Sequence, residues 1–133
     1  QFDNHDYSVP VRWAYHPCTV RGFVDRVEIL CEHQIVATHR RSYSSDPFVL
    51  DPLHYVPLLE RKPGVLDQGR PFRGDPWGAD FGLLRSELEY RLGADGTRQF
   101  IRVLLLLTTC PEHEVRGAVA NCVARRGARS LCA

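Results

Sequence analysis

Residues 26–32 alternate with a period of two. Val27, Ile29 and Cys31 fall on one face, and Glu28, Leu30 and Glu32 on the other. That period marks a half-buried strand. His33-Gln34 reads as a tight connection, although it lacks the Gly or Asn that a two-residue hairpin prefers. Residues 35–39 then form a returning strand. Upstream, residues 19–24 make another, with Gly22 expected at a bulge or sharp bend. Residues 7–13 make a fourth, which Pro10 confines to an edge or to the strand's start. Residues 48–50 close the set.

Beyond residue 50 the period lengthens. Pro57 suits the first turn of a short helix that ends at Pro63-Gly64. Residues 65–78 hold two Pro and three Gly and read as a connecting loop. Asp80 can cap a helix running to Leu92, with Phe81, Leu84, Leu88 and Leu92 on one stripe and Gly93 as its stop. Ala94-Asp95-Gly96 reads as a turn. Thr97 would then cap a helix over 98–108, although residues 101–107 would also fit a buried strand. Pro111 opens a last helix that exposes Glu112, Arg116 and Arg125, buries Val115, Ala118, Val119 and Cys122, and stops at Gly127.

Strands come first and helices second, so the fold class is α+β. Several short, bent strands within fifty residues favour a small antiparallel β-barrel over a flat sheet with open edges. The expected organisation is a small β-barrel over residues 1–50, followed by a linker and helical C-terminal region over 51–133. At 133 residues and 44% hydrophobic composition the chain has the proportions of an ordinary globular protein. Its longest aliphatic run, residues 103–107, is far short of the roughly 20 residues a membrane-spanning helix needs. No basic-then-apolar leader opens it. The chain lacks Met and begins with Gln1, as expected of a processed product or an excised piece of something longer.

The net charge of +1 argues against a freestanding nucleic-acid binder, but the distribution is uneven. Arg40 and Arg41 adjoin His39. Arg61, Lys62, Arg70 and Arg73 face only Asp67 in their segment, and Arg125, Arg126 and Arg129 follow the last acid, Glu114. An odd count of five Cys at irregular spacing suggests reduced thiols in a cytoplasmic setting, with Cys31 packing as a small hydrophobe. Cys31-x-His33 and Cys110-x-x-His113 are too far apart in sequence to suggest a zinc site.

The chain has no Gly-rich phosphate loop, no Gly-x-Ser-x-Gly and no His-Glu-x-x-His. A Cys–His arrangement from Cys18, Cys31, His16 and His39 stays formally open. Asp25, Glu28 and Glu32 read better as counter-charges to arginine than as metal ligands. The strand region does interleave Arg12, Arg21, Arg26, Arg40 and Arg41 with Trp13, Tyr15, Phe23 and Tyr43. Arg binds phosphate bidentately and stacks on aromatic planes. Such a surface suits a nucleic-acid backbone contacted without reading sequence. The same residues equally fit a core of Trp13 and Phe23 with arginines covering strand edges.

Four stretches carry a more specific signal: Tyr7-Ser8-Val9-Pro10-Val11-Arg12-Trp13-Ala14-Tyr15-His16-Pro17, Gly22-Phe23-Val24-Asp25-Arg26-Val27-Glu28-Ile29, Ile35-Val36-Ala37-Thr38-His39-Arg40-Arg41-Ser42-Tyr43, and Asp51-Pro52-Leu53-His54-Tyr55-Val56-Pro57-Leu58-Leu59-Glu60-Arg61-Lys62-Pro63-Gly64. In this order they resemble the carboxy-terminal region of bacterial insertion-sequence transposases of the IstA type, relatives of phage Mu transposase with an integrase catalytic core. The resemblance implies a fragment that follows that core. The three catalytic acids and their Mg²⁺ belong to the missing core, so this segment has no cofactor and none of Asp25, Glu28 or Glu60 is catalytic. It implies a non-catalytic domain that touches DNA backbone through Arg12, Arg21, Arg26, Arg40, Arg41 and Tyr43, with Arg61 and Lys62 extending the surface. It further implies contacts with neighbouring protomers and with an ATP-hydrolysing helper protein, in a bacterial cytoplasm and on nucleoid DNA. The alternative is a docking module for the helper or a protomer, with little DNA contact. The sequence departs from the family pattern in the loop 73–78 and after Thr109.

Overall fold

Val27, Ile29 and Cys31 do turn their side chains to one buried side, and that choice organises the first part of the molecule. The computed structural model describes residues 1–132, with side chains through Arg126. The side chains of Arg129 and Cys132 lie outside those described. The chain divides into two compact units, Gln1–Tyr55 and Val56–Ala133.

In the first unit β2 (Thr19–Gly22), β3 (Arg26–Cys31) and β4 (Gln34–Arg40) form an antiparallel sheet in that order. Val27, Ile29 and Ala37 are its buried centre, and Phe2, Tyr7, Val9, Val20 and Val36 pack against them. A bulge lies between Ile29 and Leu30, where β4 inserts Val36 as the extra residue. The β3–β4 turn is Glu32-His33, one residue earlier than the spacing predicts, with φ of 51° and 64°. Both residues occupy the left-handed region that a two-residue hairpin demands. A separate parallel pair joins β1 (Asp6–Tyr7) to β5 (Phe48–Val49). The expected α+β class holds, but no closed barrel is found: among the described residues the strands make one three-stranded and one two-stranded sheet. The segment read as a fourth strand breaks off because Pro10 leads into a 3-10 turn, Val11–Trp13.

In the second unit, a 3-10 turn at Val56–Glu60 takes the place of the helix expected around Pro57. The segment 65–78, expected as a loop, contains α1 (Val65–Gln68) and a 3-10 turn at Arg70–Phe72, and it buries Leu66, Phe72 and Trp77. α2 (Ala79–Leu92) packs against α3 (Ala94–Leu106) and α4 (Glu112–Cys132). Phe81, Leu84 and Leu88 are buried as the stripe predicts, whereas Leu92 is exposed. Gly93, at φ +59°, breaks the chain between α2 and α3 without help. Ala94-Asp95-Gly96 is thus the first turn of α3 and not a linker. Gly96 lies so close to the Leu88 carbonyl of α2 that no Cβ would fit. In α4, Val115 and Val119 are buried, Cys122 is half-buried and Ala118 is exposed; the helix continues past Gly127. No helix among the described residues is long and apolar enough to cross a membrane.

Candidate nucleic-acid interface

Register places the arginines. Arg26 stands opposite Arg40, and Arg21 opposite Glu28, which in turn faces Thr38. Opposed residues share a face, as do residues two apart. Arg21, Arg26 and Arg40 therefore lie together on the sheet face opposite Val27, Ile29 and Ala37.

Their environments differ. Arg26 is held by Asp25 at 3.2 Å and Glu28 at 3.4 Å, and its guanidinium sits 4.0 Å from the Phe23 ring centroid. Asp25 and Glu28 are thus its counter-charges. Arg21 and Arg40 are exposed, and among the described residues neither has a carboxylate partner. Like charges placed directly across a sheet repel, and Asp25 and Glu28 offset the charge of Arg26 where it stands beside Arg40.

Arg41 does a different job. Its side chain is largely covered, pairs with Asp3 at 3.1 Å, and donates to the Phe23 carbonyl at 3.0 Å. It also lies over the Phe2 and Tyr43 rings. The Tyr43 hydroxyl donates to the Val24 carbonyl at 2.8 Å. Both residues brace the β2–β3 turn. Arg12 is exposed on the 3-10 turn and stacks on Trp13, 5.4 Å from its centroid. Arg61 and Lys62 are exposed in the second unit.

Two features escaped the sequence. Cys18 and Cys31 form a disulfide, which corrects the expectation of five reduced thiols and occupies both sulfurs of the Cys–His arrangement left open. The cause is register: Thr19 pairs with Leu30, so Cys18 and Cys31 come next across the strands, with Cα atoms 4.7 Å apart. The argument from thiols to a cytoplasmic setting falls with it. Cys110 and Cys122 are free. The second feature is a knot around Ser8. Its hydroxyl accepts from the Asp51 N–H and bonds His54 Nδ1, both at 2.8 Å, while His39 Nε2 donates to the Ser8 carbonyl at 2.6 Å. Asp51 lies 3.6 Å from the far side of His54. The layout is that of a serine triad, but Ser8 is only 4% exposed, and no substrate could reach its hydroxyl. It fastens the start of the chain to β4 and to the segment after β5.

Residues 1–51 match the family described as Mu transposase, C-terminal domain. This segment belongs to that family. The Mu-type domain and the helices after it are similar to a transposase of Aminobacter aminovorans, 35% identical over 122 residues, which cover 88% of this chain and 23% of the relative. The transposases for insertion sequences IS1326/IS1353 of Pseudomonas aeruginosa and Shigella flexneri are each 32% identical over 126 residues, 91% of this chain and 23% of theirs. The chain thus spans less than a quarter of the length of these curated relatives, and it corresponds to their C-terminal part. No solved structure matches it.

Proposed function

We propose that this chain is the non-catalytic C-terminal portion of a DNA transposase, and that its Mu-type domain holds duplex DNA by the backbone while the transposition complex assembles. One observation carries the reading: Arg21, Arg26 and Arg40 share one sheet face, and two of the three have no internal acid. A phosphate oxygen supplies the charge that face lacks, in the bidentate geometry a guanidinium favours. Phosphate contacts carry no sequence information, so binding through them tolerates any sequence. Arg12 extends the contact, and Arg41 and Tyr43 hold its edge rigid; Arg61 and Lys62, in the second unit, are separate candidates for phosphate contact. The Mg²⁺ and the acids that cut DNA belong to the preceding core; a helper ATPase and further protomers complete the assembly on nucleoid DNA. A purely protein-docking role is the weaker reading, because it leaves the unpaired arginine face without a use.

Fluorescence anisotropy with labelled duplexes of unrelated sequence tests the proposal. Equal affinities that weaken as salt rises are expected. An absence of binding at low ionic strength overturns it.

A further inference from the structure

The loop over residues 74–78 covers a cavity. Gly74-Asp75-Pro76-Trp77-Gly78 folds back at two glycines with φ of 74° and 101°, and the Gly78 N–H donates to the Asp75 carbonyl at 3.0 Å. Beneath it lies a space of about 90 Å³ lined by Phe72, Trp77, Phe81 and Phe100, with Asp75 and Arg85 as its charged members. Phe72, Trp77 and Phe81 form a tilted series, with centroids 6.3 Å and then 6.0 Å apart. Pockets for drug-sized molecules measure about 300–1,000 Å³, so this one has room for the end of a single side chain.

Its electrostatics select the ligand's sign. The Arg85 guanidinium is bonded to Asp67 and to Glu89, each at 2.8 Å. Arg116, which approaches Gly78, is matched by Glu112 at 3.8 Å. Asp75 is exposed and, among the described residues, has no cationic partner. Among the residues that line the pocket, Arg85 is thus already engaged by two carboxylates, and Asp75 is the lining charge left without an ion-pair partner. Aromatic rings present the negative lobe of their quadrupole to a cation.

We propose that this pocket binds an alkylammonium group: the aromatic series receives its carbon-bound, weakly hydrated surface and Asp75 supplies the counter-charge. The group comes either from a lysine side chain presented by a polypeptide partner or from a free small amine. The site is independent of the DNA-binding reading, since it uses no residue of the sheet.

The test follows the indole N–H resonances of the full chain by NMR while four probes are added separately: tetramethylammonium, N-acetyl-lysine methylamide, its trimethylated form, and neutral N-acetyl-norleucine methylamide. Trp13 serves as the internal control, since the chain has two Trp. The expected result is a saturable shift of Trp77 with the cations and about tenfold weaker binding of the neutral analogue. Asp75→Asn should abolish the difference without disturbing the Trp13 signal. Tighter binding of the lysine derivatives than of tetramethylammonium identifies a polypeptide source, and the reverse order a free amine. Equal affinity for the norleucine analogue in the unsubstituted protein, or no shift at millimolar concentrations, overturns the proposal.

Discussion

Arg26 and Arg40 stand directly opposite each other on β3 and β4, yet among the described residues only Arg26 has carboxylate partners. This asymmetry separates arginines engaged within the fold from those that the proposed function gives to DNA. Arg41→Gln removes an ion pair to Asp3 and a bond to the Phe23 carbonyl. It should lower the melting temperature of the first unit by an amount equivalent to about 1–2 kcal/mol. Arg40→Gln should leave that temperature within about 0.5 kcal/mol of the unsubstituted protein. Calorimetry on the two variants checks the contrast.

The disulfide gives a second expectation. Cys18 and Cys31 are 13 residues apart, and closing a loop of that size stabilises a domain by about 3 kcal/mol in the chain-entropy account. A phosphine reductant should lower the first unit's transition correspondingly. Thiol titration in denaturant without reductant should find three reactive groups among the five cysteines. Five would contradict the pairing.

How far the fold was legible depends on how local its causes are. Alternation through Val27, Ile29 and Cys31 located β3 and its buried face, and the Phe81–Leu84–Leu88 stripe located α2, because both patterns lie within a single element. Barrel closure, the Cys18–Cys31 bond and the shared face of Arg21, Arg26 and Arg40 all depend on which strands pair and in what register. Residue spacing within one strand does not contain that information. The Ser8–His54 bond spans 46 positions and had no local signal. At residues 94–96, the composition of a turn was misleading because Gly93 alone supplied the break.

Histidine should make stability depend on pH in two directions. Burial pushes His54 below the usual imidazole value; Asp51 opposes this and His39 adds to it. Its neutral form is preferred in the fold, so its contribution is complete above about pH 6.5 and is lost as pH falls through the lowered value. His5 is shifted the other way, because its two ring nitrogens face the Ser44 and Asp3 carbonyls and only the protonated ring can donate to both. Its contribution is complete below about pH 6.5 and is lost as pH rises through the raised value. An NMR titration should place the His54 midpoint below 6.5 and that of His5 above it. Midpoints in the opposite order would refute the assignment.

Gly96→Ala tests the second unit. The added methyl would overlap the Leu88 carbonyl, and backbone cannot yield as a flexible side chain does. Destabilisation of about 1–3 kcal/mol is expected, read as a lower denaturation midpoint of that unit.

The central claim is that the sheet's free guanidinium groups take DNA phosphates. Its most direct test is the slope of log affinity against log salt, measured for the unsubstituted chain and for Arg21→Gln combined with Arg40→Gln. Loss of two phosphate contacts should weaken binding to all duplexes and flatten that slope by about two. Identical slopes and affinities for the two proteins would contradict the account.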